Sequence, residues 1–159
     1  MSDAALQAKV LTVSDGVAYG TRDDASGRAL VAQLTEAGFE VVEHRVTEDG
    51  ATAVATVLRE MVEGFRGVVV STGGTGFAPR DQTPEGTRLV IDREAPGLAE
   101  AMRLISPLGR LSRGIAGISG GSIICNTPGS PKGCVEQLGA ILDVLPHAVR
   151  LLNAEPTTH

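Results

Sequence analysis

Residues 67–83 read GVVVSTGGTGFAPRDQT. The first six, GVVVST, are apolar on both faces of an extended chain, which is the pattern of a central parallel strand covered by helices on both sides. The next eleven residues are unlike a plain connector. Gly73, Gly74 and Gly76 surround Thr75, Thr72 precedes them, and an Arg80-Asp81 pair lies near the end of the stretch. Glycines let a backbone approach a ligand closely and adopt positive φ, successive N–H groups can then form an anion-binding nest, and the threonines add hydroxyl donors. A tight turn that needs positive φ is the structural alternative. The stretch is not a Walker A loop, because no Gly-Lys-Ser/Thr is found at the right spacing, and GTGFAP lacks the last glycine of the dinucleotide fingerprint. It reads as a buried strand feeding a phosphate-binding loop.

On either side of this stretch the chain alternates strand and helix. KVLTVS (9–14) reads as a first strand, followed by the polar stretch DGVAYGTRDDASG. ALVAQLTEAG (29–38) has apolar residues at helical spacing and ends at Gly38, a natural position just past a helix. FEVVEHRV (39–46) is a second strand, and ATAVATVLREMVEGF a second helix before GVVVST. Beyond the glycine loop, Pro84 opens a helix with Thr83 as its N-cap. GLAEAMRLIS (97–106) is a further helix and PLGRLSRG a loop. IAGIS and SIICN flank Gly120-Gly121, a two-residue hairpin signal. TPGSPKG (127–133) is a second Gly/Pro loop, and CVEQLGAILDVLPHAVRLLN closes the chain as one helix, or as two broken near Pro146. The βαβαβ order predicts an α/β fold: an open, mostly parallel sheet with helices on both faces, and one antiparallel strand near an edge.

Composition bounds the function. With 159 residues the chain can bury a sizeable core, and it reads as a single domain over 1–159, with its core at about 8–150 and a frayed tail EPTTH. Aromatics make up 3% and Trp is absent, so the core must be aliphatic. The formal net charge of -5 disfavours nucleic acid, whose phosphates need a basic surface. No apolar run approaches a membrane span and no signal-peptide pattern opens the chain, so the expected location is cytoplasmic. Cys125 and Cys134 are then expected as free thiols, Cys125 buried in its apolar run. His44, His147 and His159 are scattered, without metal-ligand spacing.

In open α/β sheets, ligands bind beyond the carboxyl ends of the strands. Four loops succeed strands here: SDGVAYGTRDD, TEDG, TGGTGFAPRDQTPE and NTPGSPKG. All carry groups a phosphate or metal-phosphate needs. Asp81 beside a phosphate nest makes sense if Mg²⁺ bridges carboxylate and phosphate oxygens, and an Asp favourable at a helix start is the alternative. Asp49 carries the same two readings, and two acids on neighbouring strand ends suit a hard cation. Lys132, near a helix start where a cation is unfavourable, hints at an anion that compensates it; a solvated Lys is the alternative. Ser130 lies in the same loop, and Ser14, Asp15 and Arg80 are weaker candidates.

TVSDGV, VTEDG, STGGTGFAPRDQTPE, REAPGLAEAMR, LSRGIAG and NTPGSPKG, in this order, closely resemble the molybdopterin adenylyltransferase family of the MogA/MoaB type, whose module also occurs within gephyrin. The resemblance implies a three-layer α/β/α sandwich assembled as a homo-oligomer, a trimer ahead of a hexamer. It implies Mg²⁺-dependent transfer of AMP from ATP to the terminal phosphate of molybdopterin, releasing pyrophosphate, and hand-off to a separate molybdate-insertion protein. By motif, the family's catalytic and metal-binding aspartates fall on Asp49 and Asp81. Ser14, Asp15, Thr72, Gly73, Gly74, Thr75, Gly76, Pro128, Gly129, Ser130 and Lys132 would contact nucleotide and pterin. The sequence departs from the family at Thr127, where an apolar residue is common. Some MoaB-type members keep the fold without the transfer, so a binding-only carrier or scaffold is the alternative. An unrelated Mg²⁺-nucleotide hydrolase is a third reading open to the residues alone.

Overall fold

The computed structural model describes residues 5–154. Strand β1 (Gln7–Val13) is followed by a one-turn helix α1 (Asp15–Ala18) and by α2 (Ala25–Glu36). Then come β2 (Glu40–Thr47), α3 (Ala51–Val62), β3 (Gly67–Thr72) and α4 (Thr83–Arg88). A two-residue strand β4 (Arg93–Glu94) leads to α5 (Pro96–Leu104) and a 3₁₀ turn (Pro107–Leu111). The chain then forms β5 (Ala116–Ser119), β6 (Ser122–Thr127), α6 (Pro131–Gly139) and α7 (Leu145–Leu152). The strands make one sheet in the order β2-β1-β3-β6-β5-β4. The pairs β1–β2, β1–β3 and β3–β6 are parallel, whereas β5 runs antiparallel to both β6 and β4.

Period-two alternation divides the central strands between two apolar layers. Ala8 and Val10 of β1, Val68 and Val70 of β3, and Ile123 and Cys125 of β6 face α2, α5, α6 and α7, meeting Leu30, Leu34, Met102, Leu138 and Val149. Their neighbours Leu11, Val13, Val69 and Ile124 face α3, meeting Val54, Leu58 and Met61. The three-layer α/β/α architecture results, and the buried core is free of aromatics apart from Phe39 and Phe65. Each fully buried Leu or Val contributes about 1.5–3 kcal/mol. The edge strands carry features that discourage further pairing: β2 bears Glu40, Glu43 and Arg45, and β4 is two exposed charged residues. Both cysteines are free and buried, and burial pushes the Cys125 thiol up to about 12 and that of Cys134 to about 11.

Local structure departs from the sequence reading in places with identifiable causes. Helix α2 starts at Ala25, not residue 29, because Asp24 caps it by accepting the Gly27 N–H (3.0 Å). Gln82, not Thr83, occupies the N-cap position of α4, and the Thr83 hydroxyl is engaged elsewhere. The closing segment is two helices parted near Pro146, which lies in the first turn of α7. The apolar stripe of α5 serves the core through Ala99 and Met102. Thr127 fits its buried place at the end of β6 by donating to the Ser71 carbonyl (2.8 Å). The expected fray of residues 155–159 lies outside the described residues. No helix among the described residues is long and apolar enough to cross a membrane.

Leu34 is fully buried between α2 and the sheet. Leu34→Ala is expected to destabilise the fold by roughly 2–5 kcal/mol, read as a lowered midpoint in chemical denaturation at unchanged slope.

Candidate functional site

Strand order reverses at β1, which pairs β2 on one side and β3 on the other. The chain leaves β1 toward one face of the sheet and β3 toward the other, so a crevice must open between their carboxyl ends. A cleft of about 1270 Å³ lies there, lined by Ser14, Asp49, Thr72 to Gly76, Asp81 and Pro128 to Gly133, with the 3₁₀ turn on its far wall.

The glycine loop forms its floor. Gly73 and Gly74 have φ of 101° and 69°. A Cβ on Gly73 would lie 2.1 Å from the Val13 carbonyl oxygen, and one on Gly74 would lie 2.2 Å from Thr83 Oγ1. Four consecutive carbonyls are tied into the protein: Gly73 O accepts from Thr83 Oγ1 (2.8 Å), Gly74 O from the Thr83 N–H (3.0 Å), Thr75 O from the Arg113 N–H (2.8 Å), and Gly76 O from Arg113 Nε (2.8 Å). The N–H of Gly73 is used by Thr127 O (3.0 Å). Those of Gly74, Thr75 and Gly76 find no partner among the described residues. The Thr75 hydroxyl also makes no hydrogen bond among them, although the residue is only 4% exposed. With its oxygens engaged by the protein and three successive N–H groups unpaired on a cleft, the loop has the geometry of an anion cradle.

Two carboxylates flank it. A Cβ on Gly74 would lie 3.3 Å from Asp49 Oδ1, and one on Gly76 would lie 2.9 Å from Asp81 Oδ2. Each carboxylate has one oxygen engaged: Asp49 Oδ2 accepts the Asp15 N–H (3.0 Å), and Asp81 Oδ2 accepts the Ala78 N–H (3.0 Å). Each Oδ1 is left without a hydrogen bond among the described residues. Burial pushes the Asp49 carboxyl above the usual carboxylate range, and the charges of Asp15 and Asp81 push the same way, against the Asp15 N–H. The Arg80 charge opposes these shifts, and a hard cation beside Asp49 and Asp81 would offset the burial of the one and the repulsion between the two. No group of three or more His, Cys, Asp or Glu among the described residues could form a closed metal cage. The donor set fits Mg²⁺, which takes one or two carboxylates and completes its shell with water and substrate phosphate.

Asp15 does a different job from the one its position suggested. It does not line the cleft. Its carboxylate accepts the Asp49 N–H (3.1 Å) and is clamped by Arg80 at 2.7 and 3.0 Å, while Arg80 also reaches Asp49 O at 3.1 Å. The Arg80 hydrogen bonds hold its carboxyl below the usual range. Ser14 caps α1 and Ser130 caps α6, each accepting a backbone N–H while still bordering the cleft. The Thr72 hydroxyl is committed to Pro128 O (2.7 Å), which joins the β3 and β6 loops. Pro128 and Gly129 line the cleft, as does Lys132, whose ammonium stands 3.8 Å from Glu136 and is well exposed. One lining residue escaped the sequence reading. Arg22 is the single arginine of the cleft wall among the described residues, and its guanidinium has no partner among them, because the neighbouring Asp23 is taken by Arg28. It lies in the rim loop SDGVAYGTRDD, but only the fold distinguishes it from the loop's other polar residues.

These features define a class: a three-layer α/β protein with an anion cradle and two acids at the ends of its parallel strands. The chain belongs to the family described as probable molybdopterin binding domain, which it matches over residues 9–147. It is 35% identical to gephyrin of Dictyostelium discoideum over 92% of its own length, and spans 22% of that longer protein. It is 37% identical to molybdopterin adenylyltransferase of Helicobacter pylori, covering 90% of this chain and 85% of that one. The crystal structure of the molybdopterin biosynthesis enzyme MoaB of Thermus thermophilus superposes with a TM-score of 0.88 at 44% identity, over 96% of this chain and 99% of that one.

Glu85 pairs with Arg113 (2.7 Å), which holds its carboxyl below the usual range. A depressed carboxylate contributes stability above its unfolded pKa and loses it as pH falls through the folded value. Acid titration should therefore cost the wild type more stability below about pH 4 than Glu85→Gln, a difference that parallel denaturation curves at neutral and acid pH would show.

Proposed function

We propose that this chain transfers AMP from ATP to the terminal phosphate of molybdopterin, in molybdenum cofactor biosynthesis. The observation that carries the reading is the cradle of three unpaired N–H groups at Gly74, Thr75 and Gly76, flanked by the free oxygens of Asp49 and Asp81. A phosphate oxygen of molybdopterin attacks the α-phosphorus of ATP; one P–O bond forms, the bond to the β-phosphate oxygen breaks, and pyrophosphate leaves. The nucleophile is ionised at neutral pH, so no strong general base is required. The chain's task is to hold two polyanions together and to neutralise charge at the α-phosphate. The cradle orients phosphate oxygens by fixed N–H dipoles. Asp49 and Asp81 would hold Mg²⁺, which supplies charge neutralisation on the phosphates when bound. Lys132 and Arg22 provide cationic groups on the cleft wall, and the apolar wall of Ile105, Leu108 and Leu111 suits a planar heterocycle. A cytoplasmic homo-oligomer, trimer ahead of hexamer, which passes its product to a molybdate-insertion protein, belongs to the same reading. Leu104, exposed at 85% and outside the cleft lining, offers it apolar contact surface.

The test is adenylyl transfer with purified protein, molybdopterin, Mg²⁺ and α-labelled ATP. Labelled adenylyl-molybdopterin with matching pyrophosphate, lost without Mg²⁺, is expected. Tight molybdopterin binding without product would move the chain to the carrier class. Asp81→Asn should lower kcat on the order of 10²-fold, about 2.7 kcal/mol of charge stabilisation, with the fold intact by circular dichroism. Arg22→Ala should raise the KM of one substrate roughly threefold at little-changed kcat, the modest effect of an exposed charge. Sedimentation velocity that shows only monomer would remove the oligomer.

A further inference from the structure

We infer that Arg113 is a positioning residue that shapes the anion cradle through its backbone, without touching substrate; the inference rests on the adenylyl-transfer reading. LSRGIAG is a motif whose side chains that reading leaves without a role. Arg113 lies between the 3₁₀ turn and β5 and does not line the cleft. Its N–H donates to Thr75 O (2.8 Å). Its Nε donates to Gly76 O (2.8 Å) and its Nη2 to Asp81 O (2.6 Å), so one planar guanidinium grips both ends of residues 76–81. Glu85 holds the fork from the other side, at 2.7 Å from Nη1 and 3.3 Å from Nη2.

The geometry has two consequences. Drawing the carbonyls of Thr75 and Gly76 toward Arg113 leaves the N–H groups of Gly74, Thr75 and Gly76 to the cleft. Fixing Asp81 O sets where the Asp81 carboxylate stands relative to the cradle, since Asp81 Oδ2 lies against Gly76. Arg113 thereby couples the spacing of the anion site to that of the acid beside it. A lysine cannot replace it, because a single ammonium on a flexible stem does not present a rigid fork to two separated carbonyls.

The experiment is a double-mutant cycle. Binding of ATP with Mn²⁺ would be measured calorimetrically for wild type, Arg113→Lys, Asp81→Asn and the double variant, alongside amide hydrogen exchange without ligand. Arg113→Lys is expected to stay folded by thermal melt, to bind Mn²⁺-ATP about tenfold more weakly, and to add little to the loss in Asp81→Asn. Exchange should accelerate at Ala78, Asp81 and Thr83, whose amides bond within this loop. Glu85→Gln, which loosens the fork without touching the loop, should show a smaller loss of the same kind, and it decides the matter if Arg113→Lys does not fold. Unchanged binding in Arg113→Lys, or losses that add in the double variant, would overturn the inference. Wild-type protein that fails to bind Mn²⁺-ATP would count against the nucleotide reading instead. Exchange at the three amides would then decide the role of Arg113, acceleration supporting it and no change overturning it.

Discussion

Everything at the rim of this sheet depends on four backbone carbonyls that face inward. Residues 73–76 could have formed an ordinary turn with its amides and oxygens both engaged by neighbours or water. Instead Thr83 and Arg113 take the oxygens one after another, and the amides of Gly74 to Gly76 are left for something else. A backbone cannot leave such groups unpaired in a closed interior without a cost of about 1–3 kcal/mol each. They are tolerable on an open cleft, where water or a ligand oxygen completes them. The two glycines of positive φ make the bend possible, and the close approach of Val13 to Gly73 leaves no space for a side chain.

The acids are held by equally few contacts. Asp15 and Asp49 exchange backbone N–H donors, and Arg80 neutralises Asp15 while it anchors the Asp49 carbonyl. The protein thus uses one acid–base pair to hold another acid, which itself keeps a free oxygen. The cleft combines fixed N–H dipoles with a small number of charges on an acidic chain of net charge -5. On the proposed function, recognition of a polyanion falls to local geometry, since the net charge of the chain offers no attraction.

Much of this is legible in the sequence where a single physical signal dominates. Strands β1, β3 and β6 announce themselves by apolar runs, α3 by its period, and the β5–β6 hairpin by Gly120, whose φ is 57°. The glycine loop is legible because only glycine fits such a bend, and its two flanking acids because each stands in a loop that follows a parallel strand. What the sequence hides is tertiary. The one-turn α1 rests on the Ser14 cap, and β4 is two charged residues without any apolar period. Asp15 has the local look of a ligand contact, but its role depends on Arg80, 65 residues away. Arg113 meets Gly76 across 37 residues, and no local pattern encodes that contact.

The function proposed for this chain turns on the amides of Gly74, Thr75 and Gly76 receiving a ligand phosphate. Titration of ¹⁵N-labelled protein with ATP and Mg²⁺, followed by amide chemical shifts, would observe those groups themselves. The three amides should shift downfield first and furthest, with the Thr75 hydroxyl protected from exchange. Saturable binding that leaves them in place, or that moves only amides remote from the cleft, would contradict it.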